Sequence, residues 1–267
     1  MNRTYPVEFV YQVAALFLAV ILVHAIYVAW IRPEADEFRA NQIAELQANP
    51  DAQPQRSLFV IVRDFEQEAC FIIMLWAMAI MAFKAIVARG EARLLHMAFI
   101  PLEGDESIDA AGAAKHGNRL RTLPELQRRK LLPRALATAL GRFSATRNIQ
   151  DAADTAHDLC QAEAERLESE LSMVRYLAWA IPSIGFIGTV RGIGEALSQA
   201  HKAVEGDIAG VTSSLGVAFN STLVALLISI VIMFLLHQVQ LQQDRLVLDT
   251  EHYLDEHLIE HLRVEHG

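Results

Sequence analysis

Residues 180–197 read AIPSIGFIGTVRGIGEAL. Uncharged up to Val190, the stretch places Gly185, Thr189, Gly192 and Ala196 at helical steps of 4, 3 and 4, so all four share one face. Residues 212–229, TSSLGVAFNSTLVALLIS, do the same with Ser214, Ala218, Thr222, Ala225 and Ser229, with Asn220 and Ser221 alongside. Lipid tails reward bulky apolar side chains. Two apolar helices stripped of bulk and supplied with hydroxyls along one face should therefore set that face against protein or water.

The rest of the chain agrees with a membrane reading. Of 267 residues 53% are hydrophobic, and the mean hydropathy is +0.24, too apolar for an ordinary soluble domain. A hydrocarbon core about 30 Å thick needs roughly 20 helical residues. Four runs satisfy this: Phe9–Ile31, Ala69–Ala88, Met173–Val190 and Leu215–Leu236. Lys84 lies close enough to the end of the second run for its ammonium to snorkel outward. The first run is too long for a signal-peptide core and no small-residue cleavage pattern follows it, so it is read as a helix. The fold class expected is all-α, a polytopic membrane protein with four transmembrane helices and helices extending into the cytoplasm.

Charge and cysteine usage exclude other classes. A net charge of −9 and the lack of a base-reading motif argue against nucleic acid as a partner. Two cysteines, Cys70 and Cys160, cannot build a disulfide framework and read as inert thiols. A soluble enzyme is not expected, nor any cofactor or metal.

Lys and Arg set the orientation. Arg89–Leu171 carries twelve of them and the loop Arg32–Glu68 four, while the connector around His201–Gly210 has Lys202. That bias puts the central segment and both termini in the cytoplasm, with the loop outside. The organisation expected is peripheral helices in 1–88 with the external loop 32–68, a cytoplasmic helical segment in 89–171, a third and fourth span in 172–236, and an amphipathic tail helix in 237–267. Gly, Asp and Ser cluster around Leu102–Asn118, which reads as a break. No Gly or Pro occurs between Asn148 and Pro182, so the third membrane helix should run on unbroken from the cytoplasm, about 75 Å from Asn148 to Leu197.

The small-residue stripes admit two readings. They can be packing seams, since small-xxx-small patterns bring helix backbones together. Alternatively, Thr189 and Thr222 face a narrow polar pathway, where hydroxyls bond water or a carboxyl group without carrying a permanent charge. Spacing alone does not separate these.

IPSIGFIGTVRGIGEAL resembles the third-helix signature of the MotA/TolQ/ExbB proton-channel family: a proline, spaced glycines, then Gly-Thr-Val-x-Gly-Ile. GVAFNSTLVALLIS is similar to the family's fourth-helix motif, a small-residue stretch ending in threonine and an apolar run. The likeness covers about Tyr176–Leu236. It implies a homopentamer whose third and fourth helices surround two copies of a MotB/TolR/ExbD-like single-span partner that supplies a membrane aspartate. It also implies a stator that couples H+ or Na+ flow to rotation or force. By position, Pro182 matches the motif proline, and Thr189 and Thr222 match the two threonines. Thr189, Thr222, Asn220 and Ser221 are then the expected ion pathway, and Pro182, Gly185, Gly188, Gly192 and Ala218 the pore packing or hinge. Val217 stands where ExbB-like members carry a glutamate, and Arg191 where many TolQ and ExbB sequences carry tryptophan. The competing class is a structural membrane scaffold or signalling subunit without ion conduction.

Three further features stand outside the two stripes. Arg191 and Glu195 lie one turn apart and can form an ion pair, interfacial or gating, that offsets a cost of about 2.5–3.5 kcal/mol per charge at the bilayer centre. His257–Leu258–Ile259–Glu260–His261 fits His-x-x-Glu-His, but on an amphipathic tail helix it reads as a solvated face. His24 should bond a neighbouring helix.

Overall fold

The structure, a computed structural model, describes residues 4–48, 57–97, 99–100, 107–204 and 208–264. Among these residues there is no strand. One isolated parallel bridge joins Ile108 to Leu262. Four helical stretches are long and apolar enough to cross a membrane: Val7–Glu45, Phe65–His96, Ile149–Ser198 and Ala209–His261. The all-α, four-span expectation holds.

The chain divides into two compact units, residues 1–82 with 173–236, and residues 83–172 with 237–267. In the first, α1 (Thr4–Ile26) passes through a π-helical turn, Tyr27–Ile31, into α2 (Arg32–Ala48). Pro33 explains the turn: its ring has no N–H and crowds the carbonyl of Ala29, and a widened turn absorbs that without ending the helix. The segment expected as an external loop, 32–68, is thus helical for its first 17 residues. Ala, Glu, Gln, Leu and Arg dominate there and favour helix even without a hydrophobic face. The loop's residues 49–56 lie outside the described residues. A single turn, α3 (Leu58–Ile61), precedes α4 (Phe65–Ala92).

Packing in this unit joins α1 to α4, and α4 to α9 (Ser172–Ser198). Trp76 donates from Nε1 to the carbonyl of Gln12 at 2.9 Å, and Tyr11 from its hydroxyl to Ala79 at 3.1 Å. Cys70, fully buried, points its thiol at the Ile181 carbonyl. His24 meets Glu68 on α4 at 2.7 Å, and Arg32 binds the other oxygen of the same carboxylate. This is the neighbouring-helix bond expected of His24.

The second unit is a helical cluster. Its α5 (Ala110–Arg121) begins at Asp109, whose carboxylate accepts from the Gly112 amide at 2.7 Å. Ala110–Asn118 is therefore helix rather than the expected break; one N-cap and an alanine-rich turn outweigh two glycines, while 101–106 lie outside the described residues. A short turn, α6 (Glu125–Arg128), leads to α7 (Leu131–Thr146), which turns back at left-handed Arg147 into α8 (Ile149–Glu170). Buried Leu132, Leu136, Leu140, Phe143, Ala152 and Leu254 form its core. Lys84 does not snorkel: it is buried, and its ammonium binds Glu170 at 2.7 Å, so a carboxylate replaces water as its partner.

Two further expectations change. The helix from Asn148 is interrupted at Leu171, whose amide reaches back three residues to Glu168 before α9 begins. The tail is not a separate helix. After α10 (Ala200–Val204), α11 runs without interruption from Ala209 to His257, 49 residues and about 73 Å. It lacks an internal Gly or Pro after Gly216, so nothing in the sequence ends it at the membrane edge. His257 closes α11 and a short 3-10 turn, Ile259–His261, follows.

Candidate functional site

Glycine decides how closely α9 and α11 approach. A Cβ at Gly192 would lie 2.7 Å from both the Ala218 amide nitrogen and the Ser214 carbonyl oxygen. One at Gly185 would lie 2.5 Å from the Ala225 Cβ, and one at Gly188 2.5 Å from the Ser221 Cβ. No side chain fits at any of the three. Gly185, Gly188, Gly192 and Ala196 are buried against Ser214, Ala218, Ser221 and Ala225, and this is the seam between the two helices. Its centre runs through Gly188 and Ser221 rather than through the threonines. By contrast Gly194 and Gly216 have open space around them.

The threonines flank the seam and meet each other. Thr189 Oγ1 and Thr222 Oγ1 are in hydrogen-bond contact, both half-buried. Thr189 Oγ1 also lies 3.0 Å from the Ala218 carbonyl and 3.2 Å from that of Gly185, while Thr222 Oγ1 lies 3.3 Å from Gly185. Two hydroxyls have two protons. With Thr189 donating to Ala218 and Thr222 donating to Thr189, both protons are used within the protein. Thr222 Oγ1 is then left with acceptor capacity. Such a pair suits a visiting neutral carboxylic acid, which donates a proton, better than a carboxylate, which needs donors.

A third hydroxyl repairs the helix around Pro182. Proline has no N–H, so the carbonyl of Ala178, four residues earlier, loses its intrahelical donor. Ser229 on α11 donates to that oxygen at 3.3 Å. α9 accordingly runs from Ser172 to Ser198 with Pro182 inside it.

The expected site residues thus divide. Thr189, Thr222, Ala218 and Gly185 come together. Ser221 sits inside the seam, its hydroxyl bonded to Val217 on its own helix at 2.9 Å. Asn220 precedes Thr222 by two residues and so points about 200° away around the helix.

Arg191 does pair with Glu195, at 3.0 Å, yet its stronger partner is Glu66 at the start of α4. There the guanidinium donates from Nε at 2.7 Å and from a terminal nitrogen at 2.9 Å, a two-bond clamp that ties α9 to α4. Sequence reasoning missed Glu66, whose signal was an acidic pair, Glu66 and Glu68, in the first turn of a membrane helix. It also missed Asp64, just before that helix. Burial pushes the Asp64 carboxyl above the ordinary aspartate range, against the opposing pull of Arg39, Arg191 and Arg63, and its Oδ2 has no hydrogen-bond partner among the described residues. Among the described residues no cluster of His, Cys, Asp or Glu could hold a metal ion.

Fold and site together define a multi-pass helical membrane protein whose last two spans are joined by a glycine seam flanked by hydroxyls. Residues 127–252, a little under half of the chain, match the model of the MotA/TolQ/ExbB proton channel family. The matched stretch includes the seam, both threonines and the Arg191 clamp's α9 side. The family is one of channels rather than enzymes and works with a single-span partner, and the match supports a stator-like ion-channel role. No curated protein and no solved structure matches the chain significantly.

Proposed function

We propose that the chain is the channel-forming stator subunit of an ion-motive-force-driven motor. Five copies surround two copies of a MotB/TolR/ExbD-like single-span protein that brings the membrane aspartate. The complex sits in a bacterial inner membrane with both termini of the chain cytoplasmic, and H+ or Na+ flow through it drives rotation or force. The observation that carries this reading is the Thr189–Thr222 hydroxyl pair. It lies within two spans that offer no ionisable group between Tyr176 and Val190 or between Leu215 and Leu236. A proton or sodium carrier must then come from another chain. In an apolar surrounding an aspartate is held neutral, and as a neutral acid it can donate to the lone pair left open on the threonine pair. Exposed Phe186, Ile187 and Val190 on α9, with Phe219, Leu223 and Leu226 on α11, supply apolar surface for neighbouring copies and lipid.

The scaffold reading draws on the seam, because glycines that bring two helices of one chain together need no pore to explain them. Ion flux separates the two. Thr189→Val together with Thr222→Val preserves shape and should leave the assembly intact while abolishing flux in proteoliposomes that contain the chain and its partner. Wild-type flux from the double variant removes both threonines from the mechanism.

A further inference from the structure

The second unit carries a groove of about 540 Å³ between α8 and α11. Leu167, Leu241 and Val247 form its apolar floor, and Glu165, Glu168 and Asp244 its rim; among the described residues no lysine or arginine lines it. Elsewhere in the same unit the α6 turn shows the reverse pattern. Leu126 is 84% exposed, and Arg121, Arg128 and Arg129 around it are exposed as well. Arg128 reaches back to the Arg121 carbonyl, and Arg129 pairs with Glu125, so the turn is a preformed knob with a basic collar.

Height and side both match. α7 and α8 are an antiparallel hairpin in which Arg134 binds Glu163 at 2.6 Å. The start of α7, and the α6 turn just before it, therefore lie level with the α8 residues after Glu163, which are those that line the groove. Lys130 reaching Gly90, and Glu91 accepting from the Leu131 amide, hold the turn at the same level against α4. On α8, Ala164, Glu165 and Glu168 project about 100–200° around the axis from Glu163, which faces α7. The groove thus opens on the side of α8 away from α7, while the knob precedes α7 at the same height. A unit that carries knob and groove on different sides forms head-to-tail contacts, which close into a ring where the rotation between copies allows it.

We propose that the acidic groove between α8 and α11 receives the Leu126 turn of a neighbouring copy of this chain, and that this contact ties the cytoplasmic units into a ring. The inference rests on the homo-oligomer reading above and assigns it a specific contact. Leu126 fills the apolar floor, Arg128 and Arg129 face Glu165, Glu168 and Asp244, and the charges set register and partner choice.

Cysteine cross-linking of the full-length chain in phosphatidylethanolamine/phosphatidylglycerol nanodiscs tests it. Leu126→Cys and Leu241→Cys are introduced together, Cys70 and Cys160 being buried. Because the groove faces away from α7 and the Leu126 turn precedes α7, a bond between the two positions joins two copies. The expected result is a ladder of covalent oligomers absent from either single variant. Arg128→Glu with Arg129→Glu should lower the yield several-fold, and adding Glu165→Arg with Glu168→Arg should restore it. Light scattering of the uncross-linked wild type separates the two levels. An oligomer without a ladder overturns the proposed contact alone, and a monomer overturns the homo-oligomer reading and the contact with it. A cross-link formed only to a co-expressed single-span partner also overturns the contact.

Discussion

The first unit joins its helices in two ways. Between α1 and α4 the polar bonds come from the long reach of two bulky side chains, Trp76 and Tyr11. α9 and α11 have almost no side chain between them: Gly192 stands where even a methyl group would meet backbone, and the bonds come from short hydroxyls, Thr189, Thr222 and Ser229. In lipid, where burying apolar surface between helices gains little, close approach and hydrogen bonds must supply the association. The first pair tolerates change because long side chains can adjust. The second cannot adjust, and it holds the positions on which the proposed ion pathway depends.

The sharpest way to break this contrast is to add one methyl group. Gly192→Ala places a Cβ against the backbone of Ala218 and Ser214, atoms that move only if the whole helix moves. The overpacking cost expected is about 1–3 kcal/mol. Gly194→Ala, two residues away with open space around it, should instead stabilise by about 0.5–1 kcal/mol through helix propensity. Thermal unfolding in detergent reads both. A Gly192→Ala protein as stable as Gly194→Ala would mean that the seam is not close-packed.

Much of this region was legible in the sequence. The step of 4, 3 and 4 named the correct face of α9, because small residues at helical spacing in an apolar helix have few other uses. It placed the stripe one residue off centre, on Thr189 instead of Gly188, since a hydroxyl and a glycine count alike as small until the partner's position is known. Glu66 was not legible as the partner of Arg191: 125 residues separate them, and the sequence offered Glu195 one turn away. The helical course of 32–48 was missed because a polar stretch lacks the apolar period that marks a helix, although its propensity pointed there. Leu171 carries no sequence signal at all, as neither glycine nor proline marks the interruption.

A smaller effect tests the hydroxyls. Ser229→Ala removes the donor to the Ala178 carbonyl, and Pro182 ensures that no backbone N–H replaces it, so an acceptor is left bare in an apolar setting. The cost expected is about 1–2 kcal/mol. In a Pro182→Ala background position 182 regains its N–H, and the same serine substitution should cost less than half as much. A double-mutant cycle measures the difference. Equal costs in the two backgrounds would show that Ser229 does not serve the proline gap.

The smallest effect belongs to the bulky pair and closes the comparison. Trp76 also donates to a backbone carbonyl, that of Gln12, at a shorter distance than Ser229 reaches Ala178. Distance alone would rank it the stronger bond. Gln12 lies inside α1, however, where the amide of Leu16 already bonds its carbonyl, so the indole adds a second donor to a satisfied acceptor. Removing that donor leaves nothing bare. Trp76→Phe keeps most of the ring and should cost about 0.6 kcal/mol or less. If its cost exceeds that of Ser229→Ala in the same detergent, bond length rather than an acceptor's alternatives governs these contacts, and the distinction drawn between the two helix pairs fails with it.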